Sequence, residues 1–118
     1  MQTVVLTARQ DDLAAFAQGL DMDILWMDSG LEIVQAARTA TWALVVVDGL
    51  MPGLDYKKFL IDLLTANAML NTVVITDLSD HDFHEESEGL GVLRALPSLP
   101  GFADGQQVFR QLADILGF

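Results

Sequence analysis

The sequence predicts a doubly wound α/β domain, in which a five-stranded parallel sheet carries helices on both faces. Strand-like and helix-like segments alternate five times along the 118 residues, with helical segments rather than hairpin turns between successive strands. The central strand segment is an unbroken apolar run, which is typical of a strand buried on both faces. We expect a single domain over residues 1–118, with no separate output domain.

The first half of the chain contains three predicted strands and two predicted helices. The strands are apolar and partly β-branched runs: Thr3–Leu6, Ile24–Met27 and Ala43–Val47. Asp11 is placed to cap the first helix. The apolar face of that helix follows the helical period: Leu13, Phe16, Ala17 and Leu20. The second helix is expected from about Leu31 to Ala40, with three residues facing inward: Leu31, Val34 and Ala37.

The second half begins with a turn at Pro52-Gly53, after which Asp55 can cap a third helix. Its apolar residues are Phe59, Leu60, Leu63 and Leu64. The remaining strands are Thr72–Ile75 and Val92–Leu96. Between them, the acidic stretch Asp77–Glu88 is expected to form a short helix ending at Gly89 or Gly91.

Pro97 ends the fifth strand, and Ser98–Gly105 is expected to be a loop. A last helix is then predicted over Gln106–Leu116. Its packing residues are Val108, Phe109, Leu112, Ile115 and Leu116.

Composition and charge argue against several classes of function. Seventeen acidic residues against six Lys and Arg give a formal net charge of −11, which lacks the basic footprint that nucleic acid or anionic lipid requires. No apolar run is long enough to span a membrane. The absence of cysteine excludes disulfides and thiolate metal sites within the chain. We therefore expect a cytoplasmic protein that binds neither nucleic acid nor membrane.

Asp48 is the central candidate for function. It directly follows the buried run Val45–Val47, and the Pro52-Gly53 turn comes shortly after it. The carboxyl ends of the strands in an open parallel sheet face the ligand crevice. We therefore expect Asp48 to lie in that crevice.

The residues around Asp48 resemble the phospho-acceptor segment of receiver domains in two-component response regulators, the CheY-like proteins. The matching pattern is Asp48-x-x-Met51-Pro52-Gly53-x-Asp55. Thr76 stands where receivers carry serine or threonine, and Gly89–Pro97 is similar to the segment that ends in Lys-Pro. The resemblance covers essentially the whole chain and implies the sheet order 2-1-3-4-5 of a flavodoxin-like fold.

The resemblance implies roles for particular residues. Receivers accept a phosphoryl group from a histidine kinase on the strand-end aspartate, with Mg²⁺ neutralising the developing charge. Asp48 would be this phospho-acceptor and Thr76 the hydroxyl that contacts the phosphate. The metal would be held by Asp48, by the Leu50 carbonyl and by two acids after the first strand.

Several positions depart from that pattern. Thr7 and Ala8 replace the two acids, and neither can supply the charge that Mg²⁺ prefers. Leu96 replaces the lysine and offers no cation to a phosphate. Asp77, in a position that is usually small, would crowd the site and repel a phosphate.

Arg9 could fold toward Asp48 and neutralise it, although an exposed side chain is the commoner outcome for arginine. Asp11 and Asp12 are shifted by about three or four residues from the missing acids, which places them in the first helical turn. We therefore predict a degenerate receiver-like domain that acts by protein–protein interaction rather than as an enzyme. It would need no cofactor, and Mg²⁺ only if phosphorylation is retained.

Besides a purely structural subunit in a stable complex with a fixed protein partner, three alternatives stay open. The first is a functional response regulator phosphorylated on Asp48 by a histidine kinase. The second is a flavodoxin-like nucleotide or flavin binder, although the Thr7–Asp12 loop has no glycine to cradle a phosphate. The third is a metal site at His81 and His84, for which a solvated acidic helix is the simpler interpretation.

The expected partner is a protein of a signalling pathway, either a histidine kinase or a downstream effector. In receivers the face formed by the fourth helix, fifth strand and fifth helix docks partners or pairs with a second copy, so a homodimer through this face is considered as well. The acidic stretch Asp77–Glu88 would lie there and favour a basic partner surface.

Overall fold

Five parallel strands in the order β2-β1-β3-β4-β5 form the centre of the computed structural model, which describes residues 1–118. The strands are β1 Gln2–Leu6, β2 Asp23–Met27, β3 Leu44–Asp48, β4 Thr72–Ile75 and β5 Val92–Leu96. This confirms the predicted fold class and sheet order. Every residue of the central strand β3 is buried, including Asp48 at its end.

Five α-helices cover both faces of the sheet, four of them between successive strands and the fifth after the last strand. They are α1 Ala14–Leu20, α2 Gly30–Ala37, α3 Tyr56–Ala66, α4 Asp80–Ser87 and α5 Phe102–Leu116. Two cores of 12 buried residues each result, one beneath α2, α3 and α4 and one beneath α1 and α5. None of the helices combines the length and the apolar character needed to cross a bilayer.

The ends of several helices differ from the prediction. Asp11 caps nothing, because Gln10–Leu13 forms a short 3-10 turn and α1 begins after it without a side-chain cap. The helix α5 begins at Phe102 rather than Gln106, since the Asp104 carboxylate accepts a hydrogen bond from the Gly101 N–H at 2.8 Å. The predicted cap of α3 is confirmed, because Asp55 accepts from the Lys58 N–H at 3.2 Å.

The second and fourth helices are also shorter than predicted. Ser29 accepts a hydrogen bond from the Glu32 N–H at 3.3 Å, so α2 begins at Gly30 and it ends at Ala37. Ser79 caps α4, which therefore starts at Asp80. Phe83 is the one buried residue of α4.

Three side chains that were predicted to face inward are exposed instead. Leu31 is 69% exposed because the buried stripe of α2 runs through Ile33 and Ala37. Ile115 and Leu116 are 50% and 44% exposed, because the core contacts of α5 end at Leu112. Both segments are helical as predicted. The prediction chose the wrong face of α2 as the buried one, and it extended the buried face of α5 one turn too far.

Two glycines bring α1 and α5 into backbone contact. A Cβ atom on Gly19 would overlap the carbonyl oxygen of Phe102, the first residue of α5. A Cβ atom on Gly105 would overlap the carbonyl oxygen of Phe16 and lie 2.8 Å from the backbone nitrogen of Leu20. This close approach fixes the start of α5, and with it one end of the loop between β5 and α5.

We expect Gly105→Ala to lower the free energy of unfolding by about 2–3 kcal/mol, because the new methyl group pushes the two helix backbones apart. Alanine is the better helix former by about 1 kcal/mol, so helix propensity alone predicts the opposite sign. Urea denaturation measures the difference. As a control, Ala103→Gly at an exposed position of α5 should cost about 0.5–1 kcal/mol. A Gly105→Ala protein more stable than the wild type would refute the tight packing.

Candidate functional site

Asp48 lies where three neighbouring strands end. In the sheet register Val47 pairs with Leu6 and Asp48 pairs with Ile75. The residue that follows β1, Thr7, therefore emerges on one side of Asp48, and Thr76, which follows β4, emerges on the other. The prediction from the strand-end rule thus places Asp48 at the carboxyl edge of the sheet, and its side chain is buried there.

Both carboxylate oxygens of Asp48 are hydrogen-bonded. Oδ2 accepts from the Thr7 hydroxyl at 2.8 Å and from Arg9 Nε at 2.8 Å. Oδ1 accepts from Arg9 Nη2 at 3.2 Å and from the Leu50 backbone N–H at 3.2 Å. Arg9 therefore grips the carboxylate with two parallel donors, which is the strong bidentate form of a charged hydrogen bond.

Arg9 is directed toward Asp48 by the loop that carries it. The Arg9 backbone N–H donates to the Thr7 hydroxyl at 3.0 Å, and the same hydroxyl donates to Asp48. Arg9 Nη2 also donates to the backbone carbonyl of Ser98 at 2.6 Å. One guanidinium thus connects the β1–α1 loop, the end of β3 and the β5–α5 loop, with 27% of the Arg9 side chain exposed.

The environment stabilises the charged form of both partners. Burial raises the pKa of Asp48, but the hydrogen bonds from Arg9 and Thr7, together with the positive charge of Arg9, outweigh it and bring that pKa below its ordinary value. The hydrogen bond to Asp48 raises the pKa of Arg9. The pair is therefore ionised at neutral pH.

Four other positions that the resemblance singled out form no hydrogen bond or ion pair with Asp48: Thr76, Leu96, Ala8 and Asp77. Thr76 is buried, and its hydroxyl accepts from the Leu78 N–H at 3.2 Å, which closes a local turn. Leu96 is buried and uncharged, and its carbonyl accepts from the Thr76 N–H at 3.0 Å. Ala8 and Asp77 are exposed, and Asp77 forms no hydrogen bond or ion pair with the residues around Asp48.

Of the two outcomes considered for Arg9, the structure shows the ion pair with Asp48 and not the exposed side chain. One signal in the sequence was available, because Arg9 is the only basic residue among the first 37. Asp11 and Asp12 lie exposed in the 3-10 turn and form no hydrogen bond or ion pair with Asp48, although the charge of Asp12 helps to raise the pKa of Arg9. The Ser98 carbonyl was missed, because a backbone acceptor leaves no trace in the sequence.

The residues around Asp48 do not fit a magnesium ion. Mg²⁺ requires an octahedral shell of oxygens, usually including more than one carboxylate. Asp48 is the one acid here, its oxygens already accept four hydrogen bonds, and Arg9 already supplies the positive charge. The Leu50 backbone N–H donates one of these four hydrogen bonds, to Asp48 Oδ1 at 3.2 Å.

No group of three or more His, Asp or Glu side chains elsewhere in the chain is arranged to hold a metal. His81 and His84 are both exposed on α4. His81 Nε2 lies 3.2 Å from Glu85 Oε1, one helical turn away on the same face. The histidines therefore lie on a solvated acidic helix.

Polar and aromatic contacts join α4 to the start of α3. The Tyr56 hydroxyl donates to Glu86 Oε2 at 2.8 Å, and Lys57 Nζ lies 3.6 Å from the same oxygen. The ring of Tyr56 stacks on Phe83 with centroids 6.2 Å apart. Partial burial and the hydrogen bond to Glu86 raise the pKa of Tyr56 to about 12, so the hydroxyl stays a donor at neutral pH.

Solved structures of two-component signalling proteins share this fold. A two-component response regulator from Legionella pneumophila superposes with a TM-score of 0.78 at 15% identity, over 97% of this chain and 98% of that one. The receiver domain of a sensor histidine kinase from Pseudomonas aeruginosa, which holds a magnesium ion in its active-site cleft, gives 0.74 at 15% identity, over 99% and 98%. An adenylate cyclase from Rhodopirellula baltica gives 0.75 at 17% identity, over 98% and 92%.

No protein-family model matches the sequence, and no curated protein matches it significantly. Identities of 15–17% to these three structures establish a common fold. The chain therefore has the fold of response regulator receiver domains, while its function must be argued from the residues of the site.

The free energy of unfolding should depend on pH in a way that reflects the hydrogen-bonded carboxylate of Asp48. The unfolded chain has an ordinary aspartate pKa of about 3.9 and the folded value of Asp48 lies below it, so Asp48 stabilises the fold above that pH. This contribution disappears as the pH falls through the lower, folded pKa. We expect the free energy of unfolding of Asp48→Asn to vary less with pH below about 5 than that of the wild type.

Urea denaturation at a series of pH values measures this difference. Asp114→Asn removes an exposed acid without a hydrogen-bond or ion-pair partner and serves as the control. It should retain the wild-type pH profile. Identical profiles for Asp48→Asn and the wild type would mean that the carboxylate gains nothing from its contacts.

Proposed function

We propose that residues 1–118 form a degenerate receiver-like signalling domain that acts by protein–protein interaction, and that Asp48 is no longer a phospho-acceptor. The observation that carries this proposal is the bidentate contact of Arg9 with Asp48, completed by the Thr7 hydroxyl. The strand-end aspartate keeps its place in the receiver fold, but its charge is balanced by the chain itself.

Nucleophilic attack on phosphorus needs a free carboxylate oxygen and a cation that bridges it to the transferring group. Both Asp48 oxygens accept hydrogen bonds from Arg9, and each also accepts a second one. The lowered pKa makes the carboxylate a weaker base, and hence a weaker nucleophile. The arrangement therefore disfavours attack even where a small phosphodonor can enter.

Of the two groups that would transmit a phosphorylation event, the lysine is replaced and the threonine is present. The Thr76 hydroxyl is bonded to the backbone of Leu78. Leu96 cannot bind an anion, because its side chain is apolar and buried. A phosphoryl group on Asp48 would thus find an apolar side chain at the end of β5, where receivers carry the lysine that reports its arrival.

A protein partner with a basic surface fits the charge of the domain. The acidic residues predicted for the partner face are all exposed: Asp77, Asp80, Asp82, Glu85, Glu86 and Glu88. Lys57 is the only Lys or Arg within ion-pair distance of this set. Complementary charge accelerates encounter and selects partners, so we propose a histidine kinase or effector with a basic docking surface.

A functional response regulator is the second candidate. It is favoured by Asp48 and Thr76, which lie at the carboxyl ends of adjacent strands as the phosphorylation chemistry requires. The two candidates differ in one measurable property, which is whether Asp48 accepts a phosphoryl group.

We expect no phosphoryl adduct after incubation with acetyl phosphate and Mg²⁺, because Arg9 and Thr7 occupy the carboxylate. Intact-protein mass spectrometry measures the product. A receiver domain that retains the acidic pair and the lysine serves as the positive control for the reagent, and Asp48→Asn as the negative one. A stoichiometric adduct that disappears in Asp48→Asn would establish the second candidate instead.

A further inference from the structure

The loop between β5 and α5 is held to the site by a single hydrogen bond. Within residues 97–100, the Ser98 carbonyl is the one polar group that is hydrogen-bonded, and Arg9 Nη2 is its donor. Ser98 and Leu99 are exposed, with Leu99 at 65%, while Pro100 is buried. Without Arg9, packing at Pro100 and Leu96 would be all that positions the exposed part of the loop.

The guanidinium is well suited to join two loops. Its Nε and Nη2 donors lie in one rigid plane, so their contacts with Asp48 fix the orientation of the whole group. The same Nη2 that contacts Asp48 Oδ1 at 3.2 Å contacts Ser98 at 2.6 Å. The carboxylate therefore orients the arginine, and the arginine orients the loop.

We propose that Arg9 is a permanent intramolecular latch, which holds the β5–α5 loop against the end of β3 without a bound metal, phosphoryl group or other ligand. The latch needs the charge of Asp48 to orient Arg9 and the length and fork of Arg9 to reach Ser98. It keeps the exposed residues Ser98 and Leu99 in one fixed arrangement. This inference goes beyond the proposed function, because it concerns how the loop is held and not whether Asp48 reacts.

Two variants test whether Arg9 holds the loop or only balances the charge of Asp48. Arg9→Lys keeps a positive charge beside Asp48, but a single ammonium on a shorter side chain cannot grip the carboxylate and reach Ser98 together. Arg9→Met with Asp48→Asn removes both charges at once, so no unpaired carboxylate stays buried and the fold is preserved. Both variants should loosen the loop.

NMR relaxation of the Ser98 and Leu99 amides measures the loosening. We expect order parameters of about 0.85 in the wild type and below about 0.6 in Arg9→Met/Asp48→Asn. Arg9→Lys should lie between these values. The order parameters of β3 and β4 should stay unchanged in both variants, which shows that the effect is confined to the loop.

Arg110→Met provides the matched control, because Arg110 is an exposed arginine of α5 without an ion-pair partner. It should leave the Ser98 and Leu99 amides as they are in the wild type. Order parameters that stay near about 0.85 in both Arg9 variants would overturn the latch and assign the rigidity of the loop to Pro97 and Pro100. The phosphoryl assay is independent of this measurement, so each proposal can fail without the other.

Discussion

A carboxylate buried at the end of the central strand imposes the main physical constraint on this molecule. Removing an ionised group from water costs several kcal/mol unless a partner charge and hydrogen bonds replace the lost solvation. Arg9, Thr7 and the Leu50 amide supply that replacement for Asp48. The β1–α1 loop brings Arg9 to this carboxylate, and the hydrogen bond from the Arg9 N–H to the Thr7 hydroxyl helps to hold the loop there.

The ion pair between Arg9 and Asp48 also bears on whether the site can bind a metal ion. Arg9 supplies a positive charge to Asp48, and both carboxylate oxygens accept hydrogen bonds from the chain itself, which disfavours a cation from solution at this carboxylate. The β5–α5 loop is then held at both ends. Arg9 contacts it at Ser98, and the backbone contact between Gly19 and Phe102 fixes the start of α5 behind it.

Much of the fold was predictable from the sequence, because strand and helix periods are local properties. The alternation of segments predicted the parallel sheet, and the buried run before Asp48 predicted its place at the sheet edge. Local patterns failed where tertiary contacts decide. Leu31 was placed inside because α2 has apolar residues on two faces, and the structure buries the face of Ile33. Gly105 suggested a loop, whereas its lack of a side chain is what lets α5 approach α1.

The candidate site was predictable in part for a similar reason. The missing acids and the missing lysine could be read directly from Thr7, Ala8 and Leu96. The orientation of Arg9 depends on groups 39 and 89 residues away in the chain, whose distances no local pattern contains. The sequence alone shows which family residues are missing. The folded structure adds the contact between Arg9 and Asp48, which shows what takes their place.

A double-mutant cycle of Arg9 and Asp48 tests this account most directly. Urea denaturation would give the free energies of unfolding of the wild type, Arg9→Met, Asp48→Asn and the double variant. We predict that Arg9→Met alone costs about 3 kcal/mol, because it leaves the carboxylate buried without its counter-ion. The double variant should be more stable than the sum of the single changes implies by at least about 1.5 kcal/mol. Effects that add to within about 0.5 kcal/mol would contradict the claim that Arg9 stabilises the buried charge of Asp48.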